Sequence, residues 1–170
     1  MSNIYLIGFM GSGKTTIGNA LSAILNFDFL DTDKEIEKKN LISVKNIFKT
    51  KGESFFRNEE AKIIQNTAKL KDTVIATGGG LPCFNNHIDI LNNLGTTIYL
   101  SYDIETLYLR LRNDDNRPLI NKGNQKELKS YIKNLLSERR KTYNKSKYTI
   151  LCNNLTVNEI LREINSLIIS

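Results

Sequence analysis

The segment Gly8-Phe9-Met10-Gly11-Ser12-Gly13-Lys14-Thr15 constrains the fold more than any other part of this sequence. It fits G-x-x-x-x-G-K-[ST], a phosphate-binding loop that works only between a strand and the first turn of a helix. Both flanks supply that context. Asn3-Ile4-Tyr5-Leu6-Ile7 is a short apolar run suited to a buried strand, and Ile17, Ala20, Leu21, Ile24 and Leu25 recur at helical spacing. Gly11 and Gly13 let the backbone curl so that successive N–H groups face an anion, beside the positive end of the helix. In this pattern the Lys14 ammonium reaches the β- and γ-phosphates of a nucleotide, and the Thr15 hydroxyl ligates Mg²⁺.

The remaining apolar runs alternate with helical stretches, the signature of a parallel sheet covered on both faces. Strands are expected at 27–31, 73–77, 97–100 and 148–152, which with 3–7 makes five strands in one α/β domain. A charged helix is expected from Ile36 to about Asn40. Ser43 is placed to cap a short helix bearing Val44, Ile47 and Phe48. Gly52 then breaks the pattern, and a longer helix carries Phe56, Ile63 and Leu70 on one face. Ile88, Leu91 and Leu94 form a helix running up to Gly95. Asp103 caps the helix holding Leu107 and Leu111, and Thr156-Val157-Asn158-Glu159 is a capping-box sequence opening the last helix. Residues 113–124, NDDNRPLINKGN, are polar, contain a proline and a glycine, and read as an exposed, mobile segment.

Composition narrows the classes of function. The 170 residues carry a formal net charge of +6, yet no run of five or six like charges occurs. A solvated basic surface that attracts nucleotide phosphates explains the charge more simply than a nucleic-acid interface. Two cysteines and one histidine cannot build a disulfide framework, a zinc site or a histidine-centred triad. His87 lies in a polar stretch and is expected at the surface. No apolar run approaches the ~18 residues that span a bilayer. These features predict a cytoplasmic protein with reduced thiols, no membrane partner and no nucleic-acid partner.

Ligands of open α/β sheets sit beyond the carboxyl ends of the strands, and three signals fall at such ends. One is the phosphate loop. The second is Asp31-Thr32-Asp33, whose carboxylates suit an oxygen-loving metal and a substrate hydroxyl, or equally a turn and a helix cap. The third is Gly78-Gly79-Gly80, best explained by close approach of backbone to a ligand. Arg139 continues the apolar stripe of Ile132, Leu135 and Leu136, so its guanidinium faces inward and requires an anion. That anion is a buried acid or a bound carboxylate or phosphate, whereas neighbouring Arg140 is expected in solvent. Arg57 has Glu53 one turn away and could simply pair with it. Arg117, just before Pro118, could swing over phosphates or be an ordinary exposed arginine.

Taken together, GFMGSGKTT, DTD at 31–33, ESFFRNEE around Arg57, TGGG at 77–80, RPL at 117–119 and ERRKTY at 138–143 resemble the shikimate kinases, in order and separation along essentially the whole chain. The resemblance implies a single P-loop kinase domain over 1–170, with parallel strands in the order 2-3-1-4-5 and a mobile lid at about 113–124. It implies transfer of the ATP γ-phosphoryl group to the 3-hydroxyl of shikimate, in the route to chorismate and aromatic amino acids, by a monomer using Mg²⁺. Gly11, Ser12, Gly13, Lys14, Thr15 and Thr16 would then hold the ATP phosphates, with Thr15 and Asp31 at the metal. Asp33 would bind the shikimate hydroxyls and serve as the base. Arg57 and Arg139 would grip the carboxylate, and Gly78, Gly79 and Gly80 would contribute backbone. Arg117 would close over the phosphates, Arg110 would stack on adenine, and Phe48 and Phe56 would wall the acceptor pocket. Lys14, Asp33 and Arg117 are the catalytic candidates. The run Cys152-Asn153-Asn154-Leu155-Thr156 departs from the family's adenine loop, which carries an aspartate and a later proline. A gluconate-type or nucleotide kinase is the rival enzyme, and a basic P-loop module that binds nucleic acid without turnover is the rival from another class.

Overall fold

A computed structural model describes residues 2–112 and 125–169, with Gln125 and Ile169 described by backbone alone. Arg117, Pro118 and the expected lid at 113–124 lie outside the described residues.

Five strands form one sheet in the order β2-β3-β1-β4-β5, all pairs parallel. β1 (Asn3–Ile7) and β3 (Thr73–Ala76) are buried at every position and apolar but for Asn3 and Thr73 at their starts, as suits central parallel strands. β4 is Gly95–Ser101, and the two edge strands β2 (Asp28–Asp31) and β5 (Tyr148–Leu151) are only partly covered. Register matters more here than length. Asp31 pairs with Ala76, and Ala76 pairs with Leu6, so β2, β3 and β1 leave the sheet on nearly the same row. The Thr77 N–H and hydroxyl both donate to Leu6 O, at 3.2 and 2.9 Å, and fasten the start of the glycine triplet to the strand feeding the phosphate loop. The three sequence signals at strand ends are therefore lateral neighbours.

The helices are α1 (Lys14–Leu25), α2 (Thr32–Asn40), α3 (Val44–Thr67), α4 (His87–Leu94), α5 (Ile104–Leu111), α6 (Gln125–Tyr143) and α7 (Val157–Ile169). Their caps follow the sequence. Ser43 Oγ accepts from Asn46 N, Asp103 Oδ1 accepts from Thr106 N, and Thr156 and Glu159 cap one another reciprocally. Gly52 (φ 81°, ψ 172°) divides α3 into the short and long parts expected. Three boundaries differ from expectation by two residues or more. α2 begins at Thr32 rather than Ile36, because Asp31 Oδ1 accepts from Asp33 N and Lys34 N and caps it four residues earlier. α3 ends before Leu70, which is 37% exposed. β4 starts at Gly95 itself, directly where α4 stops.

The main core wraps β1, β3 and β4, with Ile17 and Leu21 from α1, Ile132 and Leu136 from α6, and Ile160 and Ile164 from α7. A second, smaller cluster of Ile36, Ile47, Phe56 and Ile63 welds α2 to both halves of α3. It is the platform on which the residues beyond β2 are held. Next to it, the buried Glu59 carboxylate bridges Lys39 of α2 and Lys62 of α3, each at 2.7 Å.

Candidate active site

The phosphate loop is built as the motif requires. Gly11 (φ 78°) and Gly13 (φ 80°) occupy the left-handed region, and Gly13 stands at the N-cap of α1, where a side chain would be strained. Ser12 is fully buried, and its N–H donates to Phe9 O. The Lys14 ammonium lies inside the curl, donating to Gly8 O and Phe9 O at 2.9 Å and to Ser12 Oγ at 3.3 Å. Thr15 and Thr16 follow on the exposed first turn of α1. Arg110 reaches across from α5, donates to Gly11 O at 3.1 Å and stacks on the Tyr102 ring at 4.2 Å.

Asp31 serves two purposes. One oxygen caps α2, and the other accepts from the Thr15 hydroxyl at 2.7 Å, bringing the two expected metal ligands together. A hydroxyl and one carboxylate are hard oxygen donors of the sort Mg²⁺ uses when phosphates and water complete its shell. Among the described residues there is no group of three or more His, Cys, Asp or Glu that could hold a metal.

The glycine triplet is the seam of the site, and each of its members faces a different predicted residue. A Cβ on Gly78 would come 2.5 Å from Asp33 Oδ1. A Cβ on Gly79 would stand 3.3 Å from Met10 N of the phosphate loop and 3.6 Å from Arg139 Nη1. A Cβ on Gly80 would meet Arg57 Nη1 and Nη2 at 2.9 and 3.0 Å. Gly78 N also donates to the buried Thr32 hydroxyl at 2.8 Å, tying the seam to the start of α2. A Cβ at 78 or 80 would force Asp33 or Arg57 to shift, whereas at 79 the tight neighbour is Met10 N and Arg139 lies in ordinary contact. Asp33, Arg57, Arg139 and the phosphate loop thus surround one short segment.

The two arginines are held differently. Arg57 donates through Nε and Nη2 to Glu53 (3.2 and 3.0 Å) and through Nη1 to Glu60 (2.6 Å). The pairing with Glu53 expected from the sequence is present. It nonetheless leaves part of the five-donor fork for another anion. Arg139, half-buried on α6, has an Nη1 that is shut off from solvent and has no hydrogen-bond partner among the described residues. Arg140 is exposed, as expected. Phe56 is buried and Phe48, at 36% exposure, lies against it with ring centroids 4.8 Å apart.

Three further residues shape the site and were not among the candidates. Glu60 is fully buried behind Arg57, and burial pushes its carboxyl up to about 7, with Arg57 opposing and Asp33 adding to the rise. Its neighbour Glu59 is driven the other way, to about 2, by hydrogen bonds from Lys39 and Lys62. Tyr143, one turn beyond Arg139, donates its hydroxyl to Gly79 O at 2.6 Å. Burial raises that hydroxyl's pKa, which keeps it a donor. Phe84 lies beneath the Arg57 guanidinium at 3.7 Å. Tyr143 continues the stripe of Ile132, Leu136 and Arg139, a signal present in the sequence, and Glu60 sits at i+3 from Arg57. Phe84 has no such periodic signal.

His87 corrects an expectation. It is buried, and its Nδ1 lies 2.9 Å from Leu81 O; since a carbonyl only accepts, Nδ1 carries the proton. Burial lowers its pKa. The side chain fastens the 3-10 turn Leu81–Cys83 that follows the triplet, a supporting role no spacing in the sequence announces.

The sequence profile of the shikimate kinases matches residues 10–168. A shikimate kinase from Persephonella marina is 42% identical over 164 residues, spanning 96% of this chain and 97% of its own. The crystal structure of shikimate kinase from Bacteroides thetaiotaomicron superposes with a TM-score of 0.92 at 30% identity over 99% of both chains. That of shikimate kinase from Acinetobacter baumannii, in complex with shikimate, gives 0.91 at 35% identity, covering 99% of this chain and 93% of that one. This chain belongs to the shikimate kinase family.

Proposed function

We propose that the chain carries out its family's reaction, ATP-dependent phosphorylation of shikimate at the 3-hydroxyl, in the cleft lined by the phosphate loop and the Gly78–Gly80 seam. One observation supports this above the others. Asp33, Arg57 and Arg139 converge on three consecutive glycines that also abut the loop carrying Lys14. A carboxylated polyol needs one edge for its anion and another for its hydroxyls, and here these edges are adjacent.

In this reading Arg57 and Arg139 take the carboxylate, and the buried Nη1 of Arg139 gains the acceptor it requires. Asp33 aims the hydroxyl at the γ-phosphorus and accepts its proton. Catalysis is then chiefly positioning and charge neutralisation, as is general for phosphoryl transfer. Lys14 and the loop N–H groups hold the phosphate oxygens. Arg110 borders the nucleotide, and Arg117 is assigned to the lid over the phosphates on the family resemblance. Thr15 and Asp31 would hold Mg²⁺, which when bound offsets charge on the β- and γ-oxygens. The chain's work is expected to need neither nucleic acid nor membrane; among the described residues no helix is long and apolar enough to cross one. Action as a monomer in the cytoplasm completes the reading.

The experiment is an ADP-release assay with MgATP over shikimate, gluconate and nucleoside monophosphates. Release stimulated by shikimate alone supports the reading. Equal stimulation by gluconate or a nucleotide, or polynucleotide binding with no acceptor-stimulated ATP use, contradicts it.

A further inference from the structure

We propose that Phe84 is a positioning residue for shikimate, acting through Arg57: its ring sets the tilt of the guanidinium plane so that the free edge meets the carboxylate in-plane. The inference rests on the reading that Arg57 binds that carboxylate. A bidentate arginine–carboxylate pair needs the two groups nearly coplanar, so the orientation of the fork matters as much as its place. Glu53 and Glu60 anchor Arg57 at two edges of its plane. In-plane hydrogen bonds at two edges still leave the group able to rock about the line between them. The anchors are also unequal, since the Glu60 side chain is 1% exposed and the Glu53 side chain 56%. Because residue 80 has no Cβ, which would stand 2.9 and 3.0 Å from Nη1 and Nη2, the end of the fork stays clear and its tilt open.

Only a contact on the face removes that freedom. Arg57 Cζ lies over the Phe84 ring, 3.7 Å from its centroid, whereas the Phe56 centroid is 5.5 Å away. The negative face of an aromatic ring attracts a guanidinium electrostatically in addition to packing against it. Phe84 also follows the 3-10 turn Leu81–Cys83 directly, so the segment that offers Gly78–Gly80 to the acceptor also carries the platform beneath its arginine. The turn is itself fixed from below by His87 through Leu81 O. Movement of the seam and movement of the guanidinium are thereby linked.

The test replaces Phe84 with phenylalanines bearing successive ring fluorines, which weaken the negative face while preserving shape. Shikimate KM should rise stepwise, by about three- to tenfold across the series, with kcat and ATP KM unmoved. Phe84→Leu, apolar but without a π face, should match the most fluorinated ring, and Phe84→Tyr should behave like the parent. A packing role alone would shift melting temperature without this graded KM, so a flat series overturns the proposal. In parallel, Arg57→Ala should raise shikimate KM and abolish the fluorine effect. If Arg57→Ala raises KM while the series stays flat, only the platform role fails. If Arg57→Ala leaves KM unchanged, the carboxylate assignment fails and the proposal falls with it.

Discussion

The hydroxyl of Tyr143 donates to the carbonyl oxygen of Gly79 at 2.6 Å, joining the last turn of α6 to the middle of the glycine seam. Arg139 stands one turn earlier on the same helix, with Nη1 3.6 Å from the place a Gly79 Cβ would occupy. The helix therefore delivers a guanidinium to the seam and fixes the seam's distance from it in one motion. The Tyr143 ring is itself held against Tyr99 of β4, with centroids 5.1 Å apart. Tyr143→Phe keeps that packing and deletes the hydrogen bond. It should destabilise the fold by about 0.5–1.5 kcal/mol, because a part-buried carbonyl loses its donor, and raise shikimate KM several-fold. Urea unfolding and steady-state kinetics read the two effects. An unchanged shikimate KM would show that the bond is structural only.

Asp33→Asn preserves the shape of the side chain and removes its basicity. If Asp33 accepts the hydroxyl proton, kcat should fall by about 10²- to 10⁴-fold. Arg139→Ala should instead act on binding, raising shikimate KM by about 10- to 150-fold for the loss of one or two charged hydrogen bonds. Near-normal kcat in the first variant, or unchanged KM in the second, would remove that residue from its role. Single-turnover and steady-state rates with saturating ATP make the distinction.

Alanine in the seam separates geometry from stability. Gly78→Ala would place a methyl group 2.5 Å from Asp33 Oδ1, and Gly80→Ala would place one 2.9 Å from Arg57 Nη1. Asp33 Oδ1 is the end of a short side chain that can turn aside, whereas Arg57 is held by Glu53, Glu60 and Phe84, so moving it also unpairs the buried Glu60. Gly78→Ala should chiefly lower kcat with a melting temperature near the parent's, and Gly80→Ala should raise shikimate KM and lower the melting temperature as well. The reverse assignment, or two unfolded variants with no kinetic signature, would count against the pairing of each glycine with its neighbour.

The neighbouring glutamates Glu59 and Glu60 should respond to pH with opposite signs. Burial raises Glu60 to about 7 from an unfolded value near 4.5, so the folded chain binds that proton more tightly. Its contribution to stability is full below the unfolded value and is lost as pH rises through the folded one. Glu60→Gln should therefore gain stability over the parent as pH climbs across that window. Glu59, lowered to about 2 by its two lysines, stabilises above its unfolded value and loses that contribution as pH falls through about 2. Glu59→Gln should be costly near neutrality and nearly silent in strong acid. Denaturant titrations of both variants across pH measure the slopes, and parallel curves would contradict the assignment.

Much of this was legible in the sequence because the signals were local. The phosphate loop needs a strand, a turn and a helix in succession, and all three are written in adjacent residues. Asp31, Asp33 and Gly78–Gly80 announce themselves at strand ends, and Arg139 by its place in an apolar stripe. What stayed hidden is whatever depends on the third dimension. The early start of α2 follows from Asp31 acting as its cap directly at the end of β2, one of two readings the Asp31-Thr32-Asp33 run allowed and between which its spacing could not choose. His87 sits among polar neighbours yet is buried, because the turn after the triplet folds back onto it. Phe84 lies beneath Arg57 although 27 positions separate their numbers and no period connects them. Residues 113–124 lie outside the described residues, so Arg117 rests on its motif.

The most direct test of the central claim is a crystal structure of the chain with shikimate, Mg²⁺ and a non-hydrolysable ATP analogue. The shikimate carboxylate should lie between Arg57 and Arg139, with a hydroxyl on Asp33 directed at the γ-phosphate and the ring along Gly78–Gly80. Shikimate bound away from that seam, or Asp33 and Arg139 turned from a common cavity, would contradict it.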